Sequence, residues 1–272
     1  MALTESSLGN ATKYGPWAVI AGGSDGTGAE FAREIAAAGI NLLLAARRQA
    51  PLDTLAGELR GDYGIEVRTL SVDLNLPDAA DRMAEATQDL EVGLYVSNAG
   101  AESGGHHFLD TPLETMRELV GRNVLTVIAA CHHFGRAMRA RGRGGIVLMG
   151  SGAGMGGQPG VAVYSGVKAF ALNLAESLWS ELRDAGVDVI GIAAPIMETP
   201  SLRRSLGDLQ IPGTFAPEDV VRNALRRLPD GPSYIYAFGE PPEESERQTT
   251  MRRDRVLAVE HISAAFFGDK GE

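Results

Sequence analysis

An α/β fold, with seven parallel strands in one doubly wound sheet and helices on both faces, is what this sequence predicts, and three observations predict it. Seven short apolar runs alternate with longer segments of helical spacing. The runs are apolar throughout instead of at every second position, as strands covered on both faces require. The length, 272 residues, suits one growing core better than two independent ones.

The first apolar run, Trp17 to Ala21, leads through a glycine-rich stretch into a helical segment from Ala29 to Ala38. Gly39 follows, a residue that ends a helix by tolerating positive φ, and the second strand runs from Asn41 to Ala45. Helix Leu52 to Tyr63, strand Glu66 to Val72, helix Ala79 to Thr87 and strand Val92 to Val96 continue the alternation. A long helical segment from Leu113 to Arg141 precedes strand Ile146 to Met149. Helix Val161 to Ala185 is closed by Gly186 before strand Asp188 to Ala193. Helix Pro217 to Arg227 and strand Tyr234 to Ala237 complete the set. Residues 1–239 thus read as one domain and 240–272 as an extension. Beyond Pro241, Pro242 and a cluster of acids, Val259, Ile262, Ala265 and Phe266 share one face at helical spacing. That tail is expected as a helix packing on the body or on a second subunit.

Composition narrows the function classes. With 44% hydrophobic and 22% charged residues, the chain has the usage of a packed protein. It holds no run of about 18 apolar residues, and Met1 to Gly15 lack a basic start and an apolar stretch, so neither secretion nor membrane spanning is expected. The one cysteine, Cys131, leaves no internal disulfide and no Cys-based zinc site, which suits a cytoplasmic protein. A net charge of −10 opposes binding to nucleic acid or an anionic membrane. Arg136, Arg139, Arg141 and Arg143 are the local exception, and positive charge where a helix ends is stabilising without a partner. His106, His107, His132 and His133 come as adjacent pairs, whose side chains point apart, so no metal site is expected.

The first strand runs into Gly22-Gly23-Ser24-Asp25-Gly26-Thr27-Gly28 and then a helix. Glycines let the backbone turn tightly and approach a pyrophosphate, and the helix presents free N–H groups to it, as in a Rossmann-type dinucleotide site. A chain that reads NAD carries an acid near the end of the second strand to bind the ribose hydroxyls. Here the strand ends in Ala45-Ala46-Arg47-Arg48, and a guanidinium can fork onto the additional 2′-phosphate of NADP. NADP(H) is therefore the expected cofactor, with Arg47 the stronger reader; Arg48 has a competing reading as a solvated surface arginine. Asp73, with Leu74 beside it, follows the third strand, and Asn98-Ala99-Gly100 follow the fourth. Both lie at strand ends, where ligands of such sheets bind, and are expected to border the adenine and its ribose.

Gly22-xxx-Gly26-x-Gly28, Asn98-Ala99-Gly100, Asn123, Ser151 and Tyr164-xxx-Lys168 occur in one order and spacing that resembles the short-chain dehydrogenase/reductase family over nearly the whole chain. The chemistry explains the grouping. A free phenol, with a pKa of about 10, transfers protons poorly near neutrality. Lys168, four residues on along a helix, faces the same way as Tyr164, and its ammonium favours the phenolate. Ser151 follows the fifth strand and can donate to a substrate oxygen on which negative charge grows. Asn123 resembles the family asparagine that holds a water touching the lysine, and Thr199 resembles the residue that binds the nicotinamide carboxamide. Two departures stand out. The usual Thr-Gly opening is Ala21-Gly22, and the family's Pro-Gly-xxx-Thr reads Ala194-Pro195-Ile196-Met197-Glu198-Thr199.

Lys13-Tyr14-Gly15-x-Trp17, Ala46-Arg47-Arg48, Thr199-Pro200-Ser201-Leu202 and Pro217-Glu218-Asp219-Val220-Val221 are similar to stretches of bacterial NADP-dependent 7β-hydroxysteroid dehydrogenases. That resemblance implies a bulky hydrophobic ketone or alcohol as substrate. Ala101 to Pro112, Gly152 to Val163 and a lid from Pro200 to Phe215 are expected to recognise it. Met155, Val161, Val163, Met197, Leu202 and Leu206 are candidate pocket residues, each equally readable as core. Two other readings stand: reduction of 3-oxoacyl groups on an acyl carrier protein, docked by Arg136 to Arg143, and a regulatory protein that binds NADP without turnover. Like its relatives, the chain is expected to pair through Leu113 to Arg141 and Val161 to Ala185 as a homodimer or homotetramer.

Overall fold

A computed structural model describes residues 7–100, 105–206, 211–237 and 239–267, leaving aside the side chains of 201, 205, 206, 261–265 and 267. Leu206, Ile262 and Ala265, named above, lie outside the described side chains. The seven strands are β1 (Trp17–Ala21), β2 (Asn41–Ala46), β3 (Val67–Ser71), β4 (Val92–Ser97), β5 (Gly144–Met149), β6 (Val187–Ala193) and β7 (Ser233–Ile235). They form one sheet in the order β3-β2-β1-β4-β5-β6-β7, every neighbouring pair parallel. The last strand sits slightly earlier than the apolar run suggests, because only Ser233, Tyr234 and Ile235 find partners on β6.

The helices are α1 (Ala11–Tyr14), α2 (Gly26–Ala37), α3 (Gln49–Tyr63), α4 (Ala79–Glu85), α5 (Leu113–Val120), α6 (Thr126–Arg141), α7 (Ala162–Leu182), α8 (Pro200–Leu206), α9 (Pro217–Arg227) and α10 (Pro242–Phe267). Successive strand residues feed opposite cores, which explains the unbroken apolar runs. Ile20, Leu44, Val96 and Val147 pack in one cluster with residues of α2, α3 and α9. Their neighbours Val19, Leu43, Tyr95 and Ile146 pack in another with residues of α4, α6 and α7. Pleating sends alternate side chains to opposite faces, and both faces here are dry.

The expected single helix from Leu113 to Arg141 is broken. Between α5 and α6, Gly121–Leu125 form a π-helical turn. Gly121 is pressed against the loop after β3, where a Cβ would stand 2.8 Å from the Asn75 carbonyl oxygen. Thr126 Oγ1 donates to the Leu74 carbonyl at 2.9 Å, and Arg122 donates to Asn75 Oδ1 at 3.1 Å. These ties hold the widened turn against the sheet edge, a local irregularity typical of functional helices. The α6 helix closes at Gly142, φ 71°. Arg141 and Arg143 then turn inward: Arg141 donates to the Val92 carbonyl, and Arg143 to the Thr12 and Gly15 carbonyls while pairing with Glu91.

The α10 helix docks through a row of polar side chains and through Val256, which packs against the core. Thr249 Oγ1 accepts the Ile235 N–H and Ser245 Oγ the Ala237 N–H, both at 3.0 Å. Arg252 pairs with Glu176, Glu260 with Arg183, and Ser180 donates to Glu260 at 2.7 Å. Val259 and Phe266, expected on a packed apolar face, are 46% and 68% exposed. Among the described residues no helix is long and apolar enough to cross a membrane.

Phe134 ties α6 to the sheet, buried and stacked on Tyr95 with ring centroids 5.2 Å apart. Phe134→Ala is expected to lower unfolding free energy by about 3–5 kcal/mol. A urea denaturation midpoint unchanged from the parent would contradict this packing.

Candidate active site

Six strands deliver the sequence-derived site residues to one edge of the sheet. Gly22 follows β1, Arg47 follows β2, Asp73 lies just past β3, Asn98 follows β4, Ser151 lies just past β5, and the segment leading to Thr199 follows β6. The strand order reverses between β1 and β4, so the crevice outside their carboxyl ends is where a doubly wound sheet binds its ligand.

The glycine loop is tied down on both sides. Gly22 N–H donates to the Ala45 carbonyl at 2.7 Å, and Asn98 Nδ2 donates to the Gly22 carbonyl at 3.0 Å. Gly22 has φ 90°, and a Cβ there would meet Ala99 N at 2.6 Å. At Gly28 a Cβ would stand 1.9 Å from the Gly22 carbonyl oxygen, so only glycine lets α2 come this close to β1. The helix begins earlier than its apolar period indicates, placing Gly26, Thr27 and Gly28 in its first turn. Asp25 is the N-cap, accepting the Gly26 N–H at 2.8 Å. Ser24 and Asp25 line an open cleft beside α2 and α3.

Around this loop the expected cofactor contacts take individual places. Ala46 ends β2 with its carbonyl accepting the Val72 N–H at 3.0 Å. Arg47 is exposed. Arg48 is more than half exposed, and its guanidinium lies 3.3 Å from Asp25. Asp73 accepts the Asn75 N–H at 3.0 Å, a turn-forming contact, and Leu74 is buried. Thr199 Oγ1 accepts the Leu202 N–H at 3.1 Å at the start of α8. A Cβ on Gly26 would lie 3.3 Å from Thr199 Cβ, so the chain entering α8 rests on the glycine loop.

The second half of the site is built around a buried amine. Lys168, 4% exposed, donates from Nζ to the Met149 carbonyl at 2.9 Å, and Nζ lies 5.7 Å from the centroid of the Tyr164 ring. Burial, and then the positive charge of Arg122, bring the Lys168 pKa down to about 8. Gly100, φ 152°, faces this amine: a Cβ there would stand 2.0 Å from Asn123 Oδ1 and 2.9 Å from Lys168 Nζ. Asn123 is buried inside the π-helical turn, its Nδ2 donating to the Leu119 carbonyl at 3.0 Å, which leaves Oδ1 turned toward Gly100. Ser151 Oγ accepts the Ala153 N–H at 3.2 Å. The fold thus gathers Gly100, Asn123, Tyr164 and Lys168 around one amine, with Ser151 at the end of the strand that holds it.

Tyr164 also lines a cleft of about 270 Å³. Its apolar wall includes Phe108, Pro112, Met116, Leu119, Val161 and Val163, and its polar groups include His106, Thr111 and Thr115. Of the expected pocket residues, Val161 and Val163 are in this lining, whereas Met155, Met197 and Leu202 are not. Thr115, Met116 and Leu119 were missed. Their signal was positional, since the first turns of α5 follow a loop already assigned to recognition.

A family model described as short chain dehydrogenase matches residues 16–209. A 7beta-hydroxysteroid dehydrogenase of Collinsella aerofaciens is 34% identical over 79% of this chain and 84% of its own. A very-long-chain 3-oxoacyl-CoA reductase of Neurospora crassa is 36% identical over 83% of this chain and 68% of its own. A structure reported in a study of 7beta-hydroxysteroid dehydrogenase stereoselectivity superposes with TM-score 0.79 at 31% identity, covering 92% of this chain and 98% of that one. A short-chain dehydrogenase from Sphingobium yanoikuyae in complex with NADPH gives TM-score 0.78 at 26% identity, covering 89% and 95%.

A buried amine whose pKa falls from 10.5 to about 8 on folding opposes folding wherever it must stay charged. Below about pH 8 both states hold the proton and the burial cost is full. Between 8 and 10.5 the unfolded chain binds more protons, so stability rises with pH. Lys168→Met is therefore expected to be at least as stable as the parent at pH 7, with an advantage that shrinks above pH 8. Thermal melts across that range check it, and a variant margin that grows with pH would contradict the assignment.

Proposed function

Because the chain belongs to the short chain dehydrogenase family of oxidoreductases, whose relatives include an NADPH complex, we propose that it interconverts a ketone and a secondary alcohol with NADP(H). The observation that carries this reading is the Lys168 amine, buried against the Met149 carbonyl and beside the Tyr164 ring. Tyr164 exchanges the proton with the substrate oxygen. The Lys168 ammonium, beside the Tyr164 ring, stabilises the negative charge left on the phenol oxygen when the proton departs. Ser151 donates to the same substrate oxygen and steadies the charge that develops there. Asn123 Oδ1, turned toward the amine, keeps the lysine oriented and supplies a polar step towards solvent.

The cofactor fits residues already in place. Gly22, Ser24, Gly26, Thr27 and Gly28 receive the pyrophosphate on the glycine loop and the first turn of α2. Arg47, Arg48 and the backbone at Ala46 receive the adenosine 2′-phosphate, in a position where an NAD-reading chain carries an acid. Asp73, Leu74, Asn98, Ala99 and Gly100 border the adenine and ribose, while Tyr164, Lys168 and Thr199 border the nicotinamide end. Bound there, the nicotinamide supplies the hydride, so that ketone, NADPH and one proton give alcohol and NADP⁺.

For the substrate, a bulky hydrophobic, steroid-like carbonyl is supported by the apolar wall of the Tyr164 cleft and by the similarity to 7beta-hydroxysteroid dehydrogenase. A 3-oxoacyl thioester is the second reading, supported by the similarity to the fungal reductase. Docking of a carrier protein through the arginines is weakened by Arg141 and Arg143, which bond within the chain. Exposed Leu113, Leu125 and Ile128 on α5, α6 and the turn between them support pairing of two copies.

NADPH oxidation measured with steroid, 3-oxoacyl and small-ketone panels separates these substrates. Tyr164→Phe is expected to lower kcat by about 10²–10⁴-fold in a folded protein. Full turnover by that variant would remove the phenol from the mechanism. For Ser151→Ala the expected loss is about 10²–10³-fold in kcat. A change confined to KM would reduce Ser151 to a binding role.

A further inference from the structure

Asp25 joins two arginines from distant parts of the chain. Arg48 NH2, just beyond β2, lies 3.3 Å from Asp25 Oδ2, and Arg204 NH2, on lid helix α8, lies 3.0 Å from the same oxygen. The other carboxylate oxygen is used as the α2 cap. One carboxylate therefore serves two guanidinium groups, and the trio carries a net positive charge. Both guanidinium groups are more than half exposed, so each pairing is weak and exchangeable. The neighbouring Arg203 is turned the other way, toward Glu198 at 3.9 Å.

The surroundings favour one direction of approach for an anion. Asp25 also belongs to the lining of the cleft beside α2 and α3, where Glu30, Glu58, Glu198 and Glu218 outnumber Arg33. A phosphate is repelled from that side and is drawn instead to the two arginines and to the exposed Arg47 beside Arg48. A phosphate dianion also offers each guanidinium more acceptor oxygens than the single shared carboxylate oxygen does.

We propose that Arg204 is a specificity-determining residue for the cofactor, receiving the adenosine 2′-phosphate jointly with Arg48 and so fastening lid helix α8 over the phosphorylated coenzyme. The assignment rests on the NADP(H) reading above and extends it to a residue outside the glycine loop and the β2 end. Exchange of the Asp25 contacts for phosphate contacts leaves the lid base where it already rests, with Thr199 and Pro200 against Gly26. Binding of NADH offers no such anchor, so the lid gains nothing from it.

Equilibrium binding of NADPH and of NADH to the full chain tests this, with Arg48→Ala, Arg204→Ala and Arg204→Lys beside the parent. The parent is expected to prefer NADPH, and Arg204→Ala to weaken NADPH about tenfold while leaving NADH within about twofold, as loss of one charged contact would. Arg204→Lys should recover part of the loss, and NADPH should protect the amides of 200–206 from hydrogen exchange more than NADH does, a difference that Arg204→Ala abolishes. A parent without NADPH preference would sink the cofactor reading itself. A parent that prefers NADPH, with Arg204→Ala weakening both coenzymes equally or neither, would sink the Arg204 assignment alone.

Discussion

Helix α2 meets the end of β1 at a distance that only glycine permits, and the rest of the site is arranged around that contact. A Cβ on Gly28 would collide with the Gly22 carbonyl oxygen, and the same carbonyl accepts the Asn98 side chain from the end of β4. Three elements that diverge in sequence are thereby held at one point, where the sheet changes direction. The N-terminus of α2 then faces the crevice with Asp25 as its cap, and Thr199 and Pro200 settle on Gly26. Wider spacing would leave the crevice too shallow for a coenzyme and deprive Thr199 of its seat.

The opposite half of the site depends on burying an amine that, among the described residues, has no carboxylate ion pair. Lys168 has a carbonyl from β5 and a guanidinium nearby, so its surroundings favour the neutral form while the chemistry proposed for Tyr164 uses the charged one. A fold shaped for stability alone would place a methionine or leucine there. The glycine at 100 and the widened turn around Asn123 have the same character. Each gives up regular backbone hydrogen bonding or side-chain packing to bring a polar atom next to that amine.

Much of this was legible in the sequence because it is written in short-range patterns. Continuous apolar strands disclosed the two-sided sheet, and the glycine loop disclosed the crevice, since both depend on residue types a few positions apart. What was not legible depends on contacts between distant positions. Asn123 could be singled out from its motif, but the break in its helix comes from Gly121 meeting Asn75 across the sheet edge, which no local period records. Arg48 could be read as a phosphate partner or a surface charge, and its pairing with Asp25 follows only once β2 lies beside the glycine loop. In the tail, the apolar spacing near the end of α10 gave no sign of the polar row of Ser245, Thr249, Arg252 and Glu260, which bonds to the body beside Val256.

That row has a consequence for the solution behaviour of the protein. Strand β7 is the last of its sheet, three residues long, and among the described residues one side of it has no partner strand. The amides of Ile235 and Ala237 on that margin are occupied by hydroxyl groups of α10, which leaves little for a foreign strand to bond to. The extension thereby gives these two border amides partners from the same chain, one of the ways in which an open sheet blunts its edge.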